Sequence, residues 1–161
     1  MSIQGEKLQV KVTIKRDDTN ALVFCKHDGG RFDRDTTIKM KVQTPYKILL
    51  TFKPAQKVSS ASLKGEEIEM VSEEMSEELS RYVFQWNSNN IAVSKKNHRL
   101  NYPLIVELRG LGVLEVIMQL KFYKADDTGH SAWGKCLHHI DCECIHKEGS
   151  SFVEVLKQVY R

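Results

Sequence analysis

The stretch LEVIMQLKFY, residues 114–123, decides the fold of this chain. Apolar side chains occupy every second position from Leu114 to Phe122. This period of two predicts a half-buried β-strand, because a helix would place its apolar residues three and four apart. We therefore predict a long central strand here. A polar loop, residues 125–134, follows it, in which Trp133 is predicted to fold back over the end of the core, and a second alternating run begins at Leu137.

The same alternation recurs along most of the chain, interrupted by Gly, Pro, Asp and Asn turns. Residues 72–79 are predicted to form either one helical turn or an acidic loop, and residues 88–102 a loop. The further predicted strands cover residues 8–14, 22–26, 38–42, 46–52, 58–63, 68–71, 82–86 and 104–108.

Many short strands with regular turns and almost no helix predict an all-β protein. We expect one domain over residues 1–161, an antiparallel β-sandwich of immunoglobulin type. An up-and-down barrel is the alternative, and both architectures can hold an apolar ligand between apolar faces.

Composition narrows the class of function. A formal net charge of +3 is too small to predict nucleic-acid binding, which needs a concentrated basic surface. No apolar run has the roughly 20 residues of a membrane span. Three of the four cysteines are crowded between Cys136 and Cys144, which is more typical of reduced thiols than of a disulfide framework, and the first residues lack a signal-peptide core. We therefore predict a cytoplasmic protein.

Several blocks of the sequence, taken together in their order and spacing, carry a resemblance to a known family. They are residues 23–32 (VFCKHDGGRF), 37–40 (TIKM), 46–47, 53–54, 118–123 (MQLKFY), 133–134 and Cys144. These blocks resemble the cannabinoid receptor-interacting protein 1 family. The resemblance implies a β-sandwich similar to Rho GDP-dissociation inhibitors, and a non-enzymatic adaptor that binds the C-terminal tail of the type-1 cannabinoid receptor and modulates its signalling. We expect a monomer without a cofactor that acts near the inner face of the plasma membrane and associates with it peripherally.

Lysines fall on the polar faces of successive predicted strands. If those strands share a sheet, the lysines form a basic surface that docks an acidic peptide or an anionic membrane leaflet. The alternative is a solvated face whose lysines prevent aggregation. The candidate partner-binding residues are Lys11, Lys15, Lys39, Lys41, Lys47 and Lys53.

Aromatic and Met side chains on the apolar faces suggest a second function. They either line a cavity for an acyl or prenyl chain, as the resemblance implies, or form a close-packed core. In the first case the protein is a carrier that shields the lipid anchor of a signalling protein. The candidate lining residues are Phe52, Phe84, Trp86, Met118, Phe122 and Trp133.

The densest reactive chemistry lies between Cys136 and His146. Five Cys and His residues of this run share parity, which on one strand would project zinc ligands from one face. However, the C-x-C spacing lacks the turn that lets C-x-x-C surround a metal, so we expect Cys142 and Cys144 to pack inward as small hydrophobes, without metal. Cys25 beside His27 is the only nucleophile cluster worth naming, and it lacks an oxyanion site, so we predict no catalytic residues.

Overall fold

The computed structural model describes residues 5–161, which form thirteen β-strands and one 3₁₀ turn, His130–Ala132. The all-β prediction is therefore confirmed. The strands are β1 (Gly5–Arg16), β2 (Val23–His27), β3 (Thr36–Lys41), β4 (Pro45–Lys53), β5 (Val58–Leu63), β6 (Glu66–Glu67), β7 (Glu69–Met75), β8 (Ser80–Asn87), β9 (Leu100–Leu108), β10 (Gly112–Tyr123), β11 (Lys135–Leu137), β12 (Ile140–Lys147) and β13 (Phe152–Tyr160).

The strands form two layers that are joined along one side. The β1 layer has the order β13-β12-β1-β4-β8-β7, and the β10 layer has the order β11-β2-β3-β10-β9-β5-β6. A short parallel pairing between β10 and β13 joins the two layers, so the hydrogen-bonded sheet is continuous from one layer to the other. Because β1 and β3 belong to different layers, their outward side chains lie on different surfaces of the protein.

The stretch that predicts the fold becomes β10, which contacts three strands. It pairs with β9 from Gly112 to Leu120, and its last four residues pair in parallel with β3. Gly112 has φ +101, and a Cβ there would lie 1.9 Å from the Ser151 carbonyl oxygen. Only glycine permits this positive φ together with so close an approach of two backbones. The joint between the layers therefore depends on this residue.

The core lies between the layers and follows the predicted alternation. Leu114, Val116, Met118 and Leu120 are each at most 1% exposed, and the inward positions of β1 and β4 are buried in the same way. Each fully buried apolar side chain of this size contributes about 1.5–3 kcal/mol. The outward positions, which carry most of the lysines, are thereby fixed in direction.

The structure corrects four predictions. The pairings of β10 with β3 and β13 are parallel, whereas we expected only antiparallel ones. Residues 72–79 form no helical turn, because residues 69–75 form β7, which pairs with β8 as the last strand of the β1 layer. The predicted strands do not include β13, because a bulge opposite Glu143 and Cys144 interrupts its alternation of inward and outward side chains. Trp133 does not cover the core, since it is 59% exposed.

Within residues 5–161 the structure has no helix of the length and apolar character that crossing a membrane requires.

Candidate basic cleft and lysine band

A cleft of about 570 Å³ lies on the outer face of the β10 layer. It forms where β2, β3 and the end of β10 meet two loops, residues 88–99 and residues 124–134. Lys39 and Lys121 are direct partners in the parallel pairing of β3 with β10, and Lys26 is paired with Thr37 on the other side of β3. We call this site the basic cleft, and its cationic side chains belong to Lys26, Lys39, Lys96, Arg99 and Lys121.

Arg99 is the most firmly held cation of the basic cleft. Its Nε donates to Thr37 Oγ1 at 3.0 Å and lies 3.5 Å from Asp28 Oδ2. The guanidinium carbon lies 4.3 Å from the centroid of the Phe32 ring. A carboxylate and an aromatic face both favour the planar cation, so the guanidinium is oriented before any ligand arrives. No hydrogen bond among residues 5–161 uses its Nη2, so this nitrogen can donate to a ligand.

A buried polar network supports this arginine from behind. Gln119, which is 1% exposed, donates through Nε2 to Thr37 Oγ1 at 2.9 Å and to the Arg34 carbonyl at 3.0 Å. Its Oε1 accepts from the Arg34 amide at 3.0 Å. Thr37 in turn donates to Asp28, whose side chain is fully buried. A buried carboxylate needs a paired cation, and Arg99 is the cation that lies beside Asp28.

Lys39 anchors the loop that forms one wall of the basic cleft. Its Nζ donates to the carbonyl oxygens of His130 at 2.8 Å and Trp133 at 2.6 Å. Asp127 Oδ1 accepts from both the amide and the hydroxyl of Ser131, which closes the loop on itself. The Trp133 ring rests on the His130 ring, with 4.4 Å between centroids, while more than half of the indole stays exposed. The loop is thus held in one shape and presents Trp133 to solvent.

Burial and the neighbouring cations together disfavour the charged forms of Lys39 and Lys121. Burial, followed by the charges of Lys26 and Lys121, lowers the pKa of Lys39. Burial, followed by the charges of Arg99 and Lys26, lowers the pKa of Lys121. A bound anion would relieve this repulsion, since opposite charges favour the protonated lysine.

A second basic surface lies on the outer face of the β1 layer. Lys15 on β1 is directly opposite Lys47 on β4, and Lys53 is opposite Gln9 near the other end of this pairing. Like charges directly opposite each other destabilise a sheet, so this arrangement is not explained by stability alone. We call this surface the lysine band, and it consists of Lys7, Lys11, Lys15, Lys47 and Lys53.

The lysine band is narrow and has few local counter-charges. On β12, Asp141 lies opposite Lys11, but its carboxylate is already 2.7 Å from Arg161 and 3.4 Å from His139. Among the ion pairs of residues 5–161, none includes a lysine of the band. Two neighbouring strands are about 5 Å apart, so the band is roughly 10 Å wide, the width of an extended peptide.

The structure divides the six predicted partner-binding lysines between the two layers. Lys11, Lys15, Lys47 and Lys53 lie together in the lysine band. Lys39 and Lys41 lie on β3 in the other layer, where Lys39 is 8% exposed and lines the basic cleft. Alternation within each strand predicts their outward direction correctly, but it does not tell which strands share a layer.

The six predicted cavity-lining residues are not brought together as one group. Five of them lie in one continuous core cluster and are at most 6% exposed, whereas Trp133 lies outside it at the rim of the basic cleft. This placement is that of a close-packed interior. The five core residues are Phe52, Phe84, Trp86, Met118 and Phe122.

The cysteines are placed as inward hydrophobes, as we expected. Cys142 and Cys144 are at most 2% exposed on β12, next to the fully buried Ile140, and burial raises the pKa of both thiols to about 12. Cys136 belongs to β11 in the other layer, and His146 contacts the Ser150 carbonyl at 2.8 Å. The five residues of common parity therefore do not share a face.

Sequence reasoning missed four of the five cations of the basic cleft. Lys96 and Arg99 lie in a loop without periodicity, and Lys26 ends a short strand. Lys121 does alternate with the apolar face of β10, but only the parallel pairing with β3, distant in sequence, brings it beside Lys39. The one signal of this site in the sequence is an outward lysine on each of two strands, Lys39 on β3 and Lys121 on β10.

Comparison with known proteins gives consistent matches. Residues 4–160 match the family described as CB1 cannabinoid receptor-interacting protein 1. The chain is 26% identical over 156 residues to the proteins of that name from Bos taurus and Mus musculus, and 25% identical to that from Homo sapiens. Each match covers 95% of this chain and 95% of the relative.

Proposed function

This chain belongs to the CB1 cannabinoid receptor-interacting protein 1 family, and we propose that it is a non-enzymatic cytosolic adaptor for a G-protein-coupled receptor. It binds the cytoplasmic C-terminal tail of the receptor, of type-1 cannabinoid class by resemblance, and thereby modulates signalling. The observation that supports this proposal most directly is the lysine band, in which Lys15 and Lys47 lie opposite each other and, among residues 5–161, neither forms an ion pair with a carboxylate within 4 Å. Such a surface gains from an acidic partner.

The dimensions of the lysine band fit an extended acidic segment. Lys7 and Lys15 are eight positions apart on β1, which corresponds to roughly 26 Å at about 3.3 Å per residue. The lysines of β1 recur at every fourth position, roughly 13 Å apart, so carboxylates four residues apart on an extended peptide would meet successive lysines. Each exposed ion pair contributes about 0.2–1 kcal/mol, so electrostatics supply a few kcal/mol and the binding depends on salt.

The test is a titration of the purified protein with a labelled acidic peptide from a receptor tail. We expect the affinity to fall as the salt concentration rises from about 50 to 300 mM, because exposed charges are screened. The double variant Lys11→Glu/Lys47→Glu should weaken binding by about tenfold or more. The matched control is Lys64→Glu/Arg109→Glu, which changes the net charge equally at exposed turns of the β10 layer.

Two results would contradict the proposal. One is an affinity that neither salt nor the Lys11→Glu/Lys47→Glu variant changes. The other is equal weakening by the band variant and by its control, which would show that only net charge matters.

The carrier function has less support. The predicted lining residues other than Trp133 fill the core, and the apolar cavity beside β2 has a volume of about 290 Å³. Ligand pockets commonly reach about 300–1,000 Å³, so this cavity is at the small end of that range. Binding of a lipidated peptide, with no binding of the same peptide without its lipid, would favour the carrier over the adaptor.

A further inference from the structure

We propose that the basic cleft binds the phosphorylated headgroup of an inositol lipid, with Trp133 inserted into the membrane surface beside it. Two independent observations point there, the convergence of five cations in one concavity and an exposed indole at its rim. The proposal concerns a site separate from the lysine band and does not depend on receptor binding.

The cations suit a ligand of several negative charges. Lys39 and Lys121 are neighbours across β3 and β10, and Arg99 is oriented by Asp28 and Phe32. Arginine matches the geometry of phosphate oxygens, and lysines add point charges around them. A carboxylate brings a single charge, whereas a bisphosphorylated inositol ring brings several to one cleft. The cleft volume of about 570 Å³ lies within the range of small-molecule sites.

The surroundings of the cleft indicate a membrane rather than a free soluble ligand. Trp133 is 59% exposed, and Lys39 fixes its loop through two carbonyl oxygens. Tryptophan is enriched at the membrane–water boundary because its ring is apolar and its N–H is polar. The other tryptophan, Trp86, is 6% exposed and belongs to the core cluster, whereas Trp133 lies outside that cluster.

Cations beside an interfacial aromatic residue combine the two forces of peripheral membrane binding. Basic residues near an anionic leaflet are attracted to its surface charge, and an aromatic side chain inserted at the boundary adds apolar contact. A protein that binds a receptor tail benefits from such an anchor, because it is then held where the tail leaves the membrane.

The first part of the test separates headgroup binding from membrane binding. Calorimetry should show binding of soluble inositol trisphosphate, weakened about tenfold or more in Lys26→Gln/Lys121→Gln, since each charge-assisted bond to phosphate is strong. The Trp133→Ala variant should bind the soluble headgroup as the wild type does, but should bind vesicles containing phosphatidylinositol bisphosphate more weakly. The matched control for the cleft variant is Lys64→Gln/Arg109→Gln, which removes two exposed charges outside both basic surfaces and should leave headgroup binding unchanged.

The second part compares vesicles. Vesicles with phosphatidylinositol bisphosphate should bind the protein more tightly than vesicles of equal total charge made with phosphatidylserine. Because Trp86 is already buried, a blue shift of tryptophan emission on vesicle binding should come from Trp133 and vanish in Trp133→Ala.

Either of two outcomes would overturn the proposal. The first is no affinity for inositol trisphosphate together with equal binding to both kinds of vesicle, which would indicate unspecific charge attraction. The second is that an acidic receptor peptide, and not the headgroup, loses affinity in Lys26→Gln/Lys121→Gln, which would assign the cleft to the peptide.

Discussion

Replacing Lys47 by Glu should raise the stability of the protein while it weakens the binding of the receptor tail. Lys47 lies directly opposite Lys15 on the outer face of the β1 layer, and both side chains are half-buried. Like charges in this position are unfavourable and opposite charges favourable, each by about 0.2–1 kcal/mol. Glu and Lys are both poor β-formers, so the change in backbone preference is small.

The two electrostatic effects add to about 1 kcal/mol of extra stability. For a domain of this size, 1 kcal/mol corresponds to a rise of about 2–4 °C in Tm. Calorimetry at low salt should show this rise, and it should shrink at high salt because the pair is partly screened. Tail binding, followed by titration, should weaken in the same variant.

Lys53→Glu is the matched control, because Lys53 belongs to the lysine band but lies opposite Gln9. It should weaken tail binding without the rise in Tm, since no like-charged pair is relieved. An unchanged or lower Tm for Lys47→Glu, or equal rises in both variants, would refute the argument that a destabilising lysine pair is kept for binding.

Three further predictions concern the scaffold. Gly112→Ala should lower the urea midpoint of unfolding far more than Gly110→Ala. A Cβ at Gly112 would meet a backbone oxygen at 1.9 Å, whereas nothing lies within 4 Å of a Cβ at Gly110, and equal losses would contradict this reasoning. Lys39→Met should remove two charged hydrogen bonds and lower the free energy of unfolding by about 1–3 kcal/mol, with faster amide hydrogen exchange confined to the loop after β10. Unaltered exchange in that loop would show that Lys39 does not anchor it. Burial raises the pKa of Cys142 and Cys144 from 9.0 to about 12, so between these pH values the unfolded thiols ionise while the folded ones stay protonated. Stability should therefore be complete below about pH 9 and fall as pH rises toward 12, and a double Cys→Ala variant should lose part of this slope.

Much of the β-structure follows from alternation in the sequence. The run from Leu114 to Phe122 predicts β10 with its inward face correct, because burial on one face requires a period of two. The predicted strand over residues 68–71 covers only the first part of the edge strand β7, because residues 72–75 carry two glutamates at exposed positions and have no apolar face to signal a strand. The strand β13 was missed because its bulge interrupts the alternation.

The candidate sites were less predictable than the strands. Outward lysines on β1 and β4 could be predicted, since each strand fixes its own two faces. The basic cleft could not be predicted, because the parallel pairing of β3 with β10 and the position of Arg99 depend on contacts distant in sequence. The exposed Trp133 was assigned to the core because composition alone does not distinguish a core aromatic residue from an interfacial one.

Binding of the receptor tail to the lysine band is tested most directly by mapping amide chemical shifts in a titration of the protein with the acidic tail peptide. We expect the largest shifts on the outward positions of β1 and β4, around Lys11, Lys15 and Lys47, and we expect them to diminish as salt is added. Shifts confined to the basic cleft, or to the core residues around Met118, would contradict it and assign the tail to another site.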